Sequence, residues 1–149
     1  MTLKELTERA ERLNAMLSGG SLMQTAISDL GSVITSLNKQ NQLYEKGINA
    51  EGVSIWSYRP YRQYTIREKQ RKGQPHNRVT LKDTGDFYGS FNVMADRSQF
   101  EVFATDPKTA DLRAKYGSIF GLTQENKQIL IDDYLRDKIA TLVKSIIYG

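Results

Sequence analysis

The chain is predicted to be an α+β protein, with an N-terminal helical hairpin, a small antiparallel β-sheet and a long C-terminal helix. Two observations predict this. Apolar residues recur at steps of three and four through the first 45 residues and again from residue 123 onward. Between those regions, FNVMA and FEVFATD are short runs of β-prone residues joined by the polar tetrapeptide DRSQ, without the strand–helix alternation of a parallel sheet.

Leu3, Leu6, Ala10, Leu13 and Leu17 fall on one stripe of a helix, with charged residues between them. SGGS at 18–21 breaks that helix, because two adjacent glycines cost a helix interior about 1 kcal/mol each relative to alanine. Ser21 is the expected cap of a second helix, whose stripe runs through Met23, Ala26, Ile27, Leu30, Val33, Ile34 and Leu37 and ends near Leu43 and Tyr44. KGINAEG at 46–52 has the composition of a turn. VSIWSY alternates apolar and polar residues and reads as a short strand or extended arm limited by Pro60. YTIREKQRK is a candidate short helix stopped by Gly73 and Pro75.

Beyond the two strand candidates, Asp106 and Pro107 end the second run, TADLRAKYG is a short helix closed by Gly117, and SIFGL is an apolar linker. Ile131, Leu135, Ile139, Leu142 and Ile146 define the last helix, with Thr123 as its cap and Glu125 near its positive end. A length of 149 residues suits one domain, 1–149, divided into a helical part (1–45), a basic, aromatic arm or loop (46–82), a short helix plus hairpin (83–122) and the C-terminal helix (123–149).

The absence of cysteine excludes disulfides, thiolate chemistry and cysteine-bearing zinc sites. MTLKELTERAERL mixes charge into its apolar residues from the start, unlike a signal peptide, and no run approaches the roughly 20 apolar residues of a membrane span, so synthesis in the cytoplasm and no membrane partner are expected. Neither GxGxxG nor GxxxxGK occurs, and the single histidine, His76, lies in a polar loop. No cofactor or metal is expected. Asp106, Asp111, Asp132 and Asp133 are candidate magnesium ligands of a nuclease, but the last two already fit the polar face of the C-terminal helix.

TLKDTGDFYGSF at 80–91 contains the Asp-Thr-Gly of aspartic proteases. That chemistry needs two carboxylates sharing a proton in a dry, symmetric site. Here Lys82 and Asp86 flank the motif with extra charge, the preceding segment is not an apolar strand, and too few strands are predicted to build the protease fold. Enzymatic activity is not expected.

Charge is concentrated in one segment. Residues 59–82 carry eight basic residues against the single Glu68, a charge of +7 that leaves the remainder at −3 for a total of +4. Within and beside it, Trp56, Tyr58, Tyr61 and Tyr64 interleave with Arg59, Arg62 and Arg67. Three readings follow: an interface built on aromatic and arginine hot spots, a single-stranded nucleic-acid site using stacking and phosphate pairing, or aromatic anchors holding the segment to the core while the arginines stay in water.

The order of blocks along residues 47–121 carries a resemblance. GINAEG is followed by Trp56, by Thr65 and Lys69, by Leu81, Thr84, Gly85, Phe87 and Ser90, and then by Tyr116-Gly117 and Phe120-Gly121. This order resembles the phage virion-morphogenesis family, the tail-completion or neck proteins of tailed phages, with Phe87 where the family usually has leucine. The chain departs from the pattern at Ser118 and Ile119, which stand where a histidine precedes Phe-Gly, and LTQENKQIL replaces a proline-rich stretch. It resembles a divergent member. The resemblance implies a structural virion protein in a homo-oligomeric ring at the head–tail joint, with other neck, portal or connector, or tail proteins as partners and DNA passing through a channel. It also implies that Thr84 caps a short helix, that Gly85 permits a tight turn into it, and that Phe87 and Phe91 face the core together. A nucleic-acid-binding accessory protein using residues 56–82 is the alternative.

Overall fold

Helix α1 (Leu3–Gly19) begins with a reciprocal cap: the Thr2 hydroxyl accepts the Glu5 amide hydrogen at 3.1 Å while the Glu5 carboxylate accepts from the Thr2 amide at 2.7 Å. The computed structural model describes residues 1–149. The helix stops at Gly20, whose φ of 74° is left-handed and whose α-carbon lies so close to the β-hairpin turn that a Cβ would meet the Arg97 carbonyl oxygen at 2.5 Å. Helix α2 (Ser21–Asp29) follows at once. Ser21 is therefore not its cap; Gly20 holds that position, and no side chain caps α2. Helix α3 (Gly31–Ser36) continues without a gap into a π-wound segment, Leu37–Lys46, which ends at Gly47 in the left-handed region.

The next stretch differs from the sequence expectation. VSIWSY contributes one isolated bridge, Ser54 to Ile48, and then turns into the short helix α4 (Ile55–Tyr58) instead of a strand. Ile55 is fully buried, and this anchors the turn. Helix α5 (Gln63–Arg71) forms where predicted. Residues 46–82 are accordingly no free arm, since Ile55, Val79 and Thr80 all sink into the core.

Helix α6 (Asp86–Gly89) leads directly into strand β1 (Phe91–Ala95), which pairs antiparallel with β2 (Phe100–Ala104) in the register Phe91 with Ala104, Val93 with Val102 and Ala95 with Phe100. Asp96 closes the hairpin: its carboxylate accepts the amide hydrogens of Ser98 (2.7 Å) and Gln99 (2.8 Å) and the Ser98 hydroxyl (3.0 Å). Helices α2 and α3 pack on β1.

Helix α7 (Thr109–Tyr116) ends at Gly117. Residues 118–122, expected as a linker, contain the fully buried Ile119 and the buried Leu122, so this segment is part of the core. Helix α8 (Gln124–Ile129), a π-wound stretch (Leu130–Leu135) and helix α9 (Arg136–Tyr148) form the closing helical run, capped as predicted by Thr123, whose hydroxyl accepts the Asn126 amide hydrogen at 3.2 Å.

The core centres on Ile34, Leu43, Ile55, Val79 and Ile119, none of which exposes any surface. Polar side chains complete it. On the inward side of the π-wound segment, Asn38 donates to the Ile119 carbonyl oxygen (2.9 Å) and accepts from the Gly121 amide (2.8 Å). Gln42 donates to the Gly121 carbonyl oxygen (2.9 Å) and accepts from the Thr123 amide (3.0 Å) and from Asn126 Nδ2 (2.9 Å). These amides supply the hydrogen bonds that a neighbouring strand would otherwise give to residues 119–123.

Helix α1 departs from the expectation of an inward stripe. It buries no residue; Leu3 is 84% exposed, Leu17 57% and Leu6 42%. It is held to α9, where Arg9 Nη1 donates to the Ile147 carbonyl oxygen at 2.9 Å. No helix is long and apolar enough to cross a membrane.

Candidate functional site

The two most specific blocks of the sequence, LKDTGDFYGSF and YGSIFG, meet in space. Phe87 and Phe91 lie edge to face at 5.0 Å between ring centroids, and Phe120 joins them at 5.2 Å from Phe91 and 6.1 Å from Phe87. Ser90 ties the first block to the end of the sheet: its hydroxyl donates to the Phe87 carbonyl oxygen (2.8 Å) and accepts from the Asp106 amide (3.0 Å). Gly85 and Gly121 take φ values of 96° and 119°. Gly85, not Thr84, occupies the cap position of α6; Thr84 accepts the Asp86 amide hydrogen from one residue further back, at 3.3 Å. The expected cap is thus a hydroxyl turn preceding a glycine that does the turning.

The basic, aromatic segment divides by residue type. Trp56 packs edge to face on Tyr61 at 5.7 Å. The Tyr58 hydroxyl donates to the Tyr116 carbonyl oxygen at 2.7 Å, and the Tyr61 hydroxyl accepts the Thr80 amide hydrogen at 3.0 Å. These three rings pin the segment down. Tyr64 alone is free, 75% exposed. Arg59, Arg62 and Arg67 are exposed, and none belongs to any of the five ion pairs in the molecule.

Two depressions open beside these anchors. A cavity of about 230 Å³ has Lys69, Lys82 and Lys108 on its wall, with Asp83 as its one acid. A groove of about 490 Å³ is lined by Arg59, Arg62 and Lys115 and shares Tyr61 and Tyr116 with the cavity. Leu81, also on the cavity wall, has φ of 59° and is the only non-glycine residue with a left-handed backbone. Burial pushes the Tyr88 phenol far above its ordinary range, and it donates a hydrogen bond to the Thr80 carbonyl oxygen.

Asp83, the aspartate of Asp-Thr-Gly, pairs with Lys72 Nζ at 2.9 Å and accepts from Gln74 at 3.3 Å. The Lys72 ammonium, then Gln74, hold its carboxyl below the usual aspartate range. An ion-paired, half-exposed carboxylate is the reverse of a dry site sharing one proton. The four candidate magnesium aspartates are not gathered: no group of three or more metal-ligating side chains exists, Asp132 pairs with Arg136 at 3.3 Å, and Asp106 accepts from the Lys108 amide. His76 is exposed, with Nδ1 3.3 Å from the Gln74 carbonyl oxygen.

Sequence reasoning passed over Lys108, just before α7, and Lys115, within it, which the fold brings beside the basic segment although both lie well beyond it in the chain. It also passed over Asn38, Gln42 and Asn126. A signal for the first two was present: Leu30, Ile34, Asn38 and Gln42 step by four, so polar side chains occupy the continuation of an apolar stripe.

Comparison with family models, with curated proteins and with solved structures finds no match to this chain.

Proposed function

We propose that this chain is a structural virion protein of a tailed phage, a neck or tail-completion component that assembles as a ring of identical copies at the head–tail joint. The reading rests on the ordered blocks that resemble the virion-morphogenesis family, and one observation supports it most: the Thr-Gly block and the Phe-Gly block, some 30 residues apart in sequence, build a single aromatic cluster through Phe87, Phe91 and Phe120.

A ring closes through heterologous contacts, so each copy needs two unlike surfaces. The leucine stripe of α1, left outside the core, is one candidate; the unpaired arginines at 59, 62 and 67 are another, facing an otherwise acidic chain. Its partners are then copies of itself and the adjoining portal or connector, neck or tail proteins, its place is the virion, and its synthesis is in the cytoplasm of a bacterial host. No cofactor and no turnover are part of this role.

Negative-stain images and native mass measurement of the purified protein test the proposal. Rings or stacked tubes are expected, and replacing Leu3, Leu6 and Leu17 with serine is expected to abolish them without lowering the melting temperature of the single chain. A strictly monomeric protein at tens of micromolar, together with absence of the chain from purified phage particles, would sink it; wild-type rings from the triple-serine variant would instead remove the leucine stripe as the contact.

The runner-up, a nucleic-acid-binding accessory protein, draws on the same unpaired arginines. Binding to DNA that weakens steeply with salt and disappears when Arg59, Arg62 and Arg67 become alanine would favour it; loss of assembly with DNA binding untouched would favour the ring.

A further inference from the structure

We propose that the cavity around Lys69 is a phosphate-binding pocket, and that the adjoining groove of Arg59, Arg62 and Lys115 carries the site onward for a polyanion with repeating phosphates. Lys69 is only 8% exposed, yet no carboxylate lies within ion-pairing distance of it. Its ammonium makes one hydrogen bond, to the Lys82 carbonyl oxygen at 2.9 Å, and stands 5.3 Å from the centre of the Tyr61 ring. An ammonium has three donors, so two remain for something that enters the cavity. Asp83 acts on Lys69 electrostatically, but its hydrogen bonds go to Lys72 and Gln74. The buried cation thus has no direct ion-pair partner, and an anion bound beside it would supply one.

The wall is short of negative charge. Asp83 is its only acid, and Lys72 and Gln74 already hold that carboxylate. Lys82 and Lys108 add two further cations, giving a surplus that suits a phosphate better than a single carboxylate. Tyr61 and Tyr116 form the shared rim with the groove, whose lining contains three cations and no acid. Cations continuing from a pocket along a groove match a chain that presents one negative charge per unit. Several walls are fixed in advance: the Tyr61 hydroxyl is bonded to the Thr80 amide, the Tyr88 hydroxyl to the Thr80 carbonyl, and the Lys69 ammonium to the loop carrying Lys82.

The groove shares Arg59 and Arg62 with the nucleic-acid reading above and deepens it, whereas the pocket at Lys69 rests on neither reading; oligomerisation is measured separately by mass. The test titrates the full-length protein with inorganic phosphate, and with chloride at matched ionic strength, following melting temperature and amide chemical shifts. A saturable rise with phosphate alone is expected, with shifts at Lys82, Asp83 and Lys108. Lys108→Ala, an exposed position, and Lys69→Met are each expected to weaken binding by about tenfold or more. A single-stranded DNA oligonucleotide then identifies the source: displacement of phosphate assigns the pocket to a nucleic-acid backbone, and binding of phosphate without displacement assigns it to a free phosphate or small phosphate ester. Both results uphold the pocket, and the second overturns its extension along the groove. Absence of saturable stabilisation by phosphate, unchanged affinity in folded Lys108→Ala, or tighter binding of a glutamate-rich peptide than of phosphate would overturn it.

Discussion

The amide nitrogen of Gly121 donates to the side-chain oxygen of Asn38 across 2.8 Å, joining a helical turn to a loop 83 residues later. The Asn38 side of the contact does not reach water, since that residue is fully buried. Asn38→Leu would strand the Gly121 amide and the Ile119 carbonyl, and Gln42→Leu would strand the Gly121 carbonyl and the Thr123 amide. Each is expected to cost about 2–4 kcal/mol, read as a lowered urea midpoint at unchanged slope. A loss below about 0.5 kcal/mol for both would mean that the loop is held by its apolar contacts alone.

At the Thr-Gly turn the two positions are expected to respond unequally. Gly85 has no atom within 4 Å of where a Cβ would stand, so its constraint is the φ of 96° and not crowding. Gly85→Val is expected to destabilise by about 1–3 kcal/mol, and Gly85→Asn by clearly less, because asparagine tolerates the left-handed region. Thr84→Ala removes only an exposed hydrogen bond of 3.3 Å and is expected to cost a few tenths of a kcal/mol. Thermal melts of the three variants give the ranking directly.

Acid sensitivity is expected from Asp83 and Asp96, both held below the ordinary aspartate value, the first by Lys72 and then Gln74, the second by the Ser98 and Gln99 amides and the Ser98 hydroxyl. A depressed carboxyl adds stability that is fully present above its unfolded value of about 3.9 and is lost as the pH falls through its folded value. Stability is therefore expected to be flat with respect to these groups above about pH 5 and to decline below about pH 4. The double variant Asp83→Asn, Asp96→Asn should start lower and fall less over that range. Parallel pH profiles for the two proteins would contradict the assignment.

Much of the fold was legible because its signals are local. Thr123 caps a helix whose stripe steps by four and three, Asp96 to Gln99 is a hairpin turn between two β-prone runs, and Gly20 breaks the first helix where SGGS says it should. VSIWSY misled because alternation over six residues describes one bridge followed by one helical turn as well as it describes a strand. The leucines of α1 misled differently: a helical stripe reveals an apolar face but not what covers it, and here the rest of the chain leaves that face open. At the candidate site, the arginines and tyrosines of residues 56–67 stood out by composition. Lys108, Lys115 and the burial of Lys69 are products of tertiary packing, on which periodicity is silent.

The amides of Asn38 and Gln42 sit near the start of the chain and their backbone partners near its end, 81 and 79 residues away for Ile119 and Gly121 respectively. During translation the early helices must therefore leave the ribosome with these side chains unfulfilled, and they stay so until the Phe-Gly stretch has emerged. Closing so long a loop carries an entropic toll that local helix formation cannot offset by itself. A nascent chain truncated before residue 119 should thus remain susceptible to protease, and protection should arrive late and all at once.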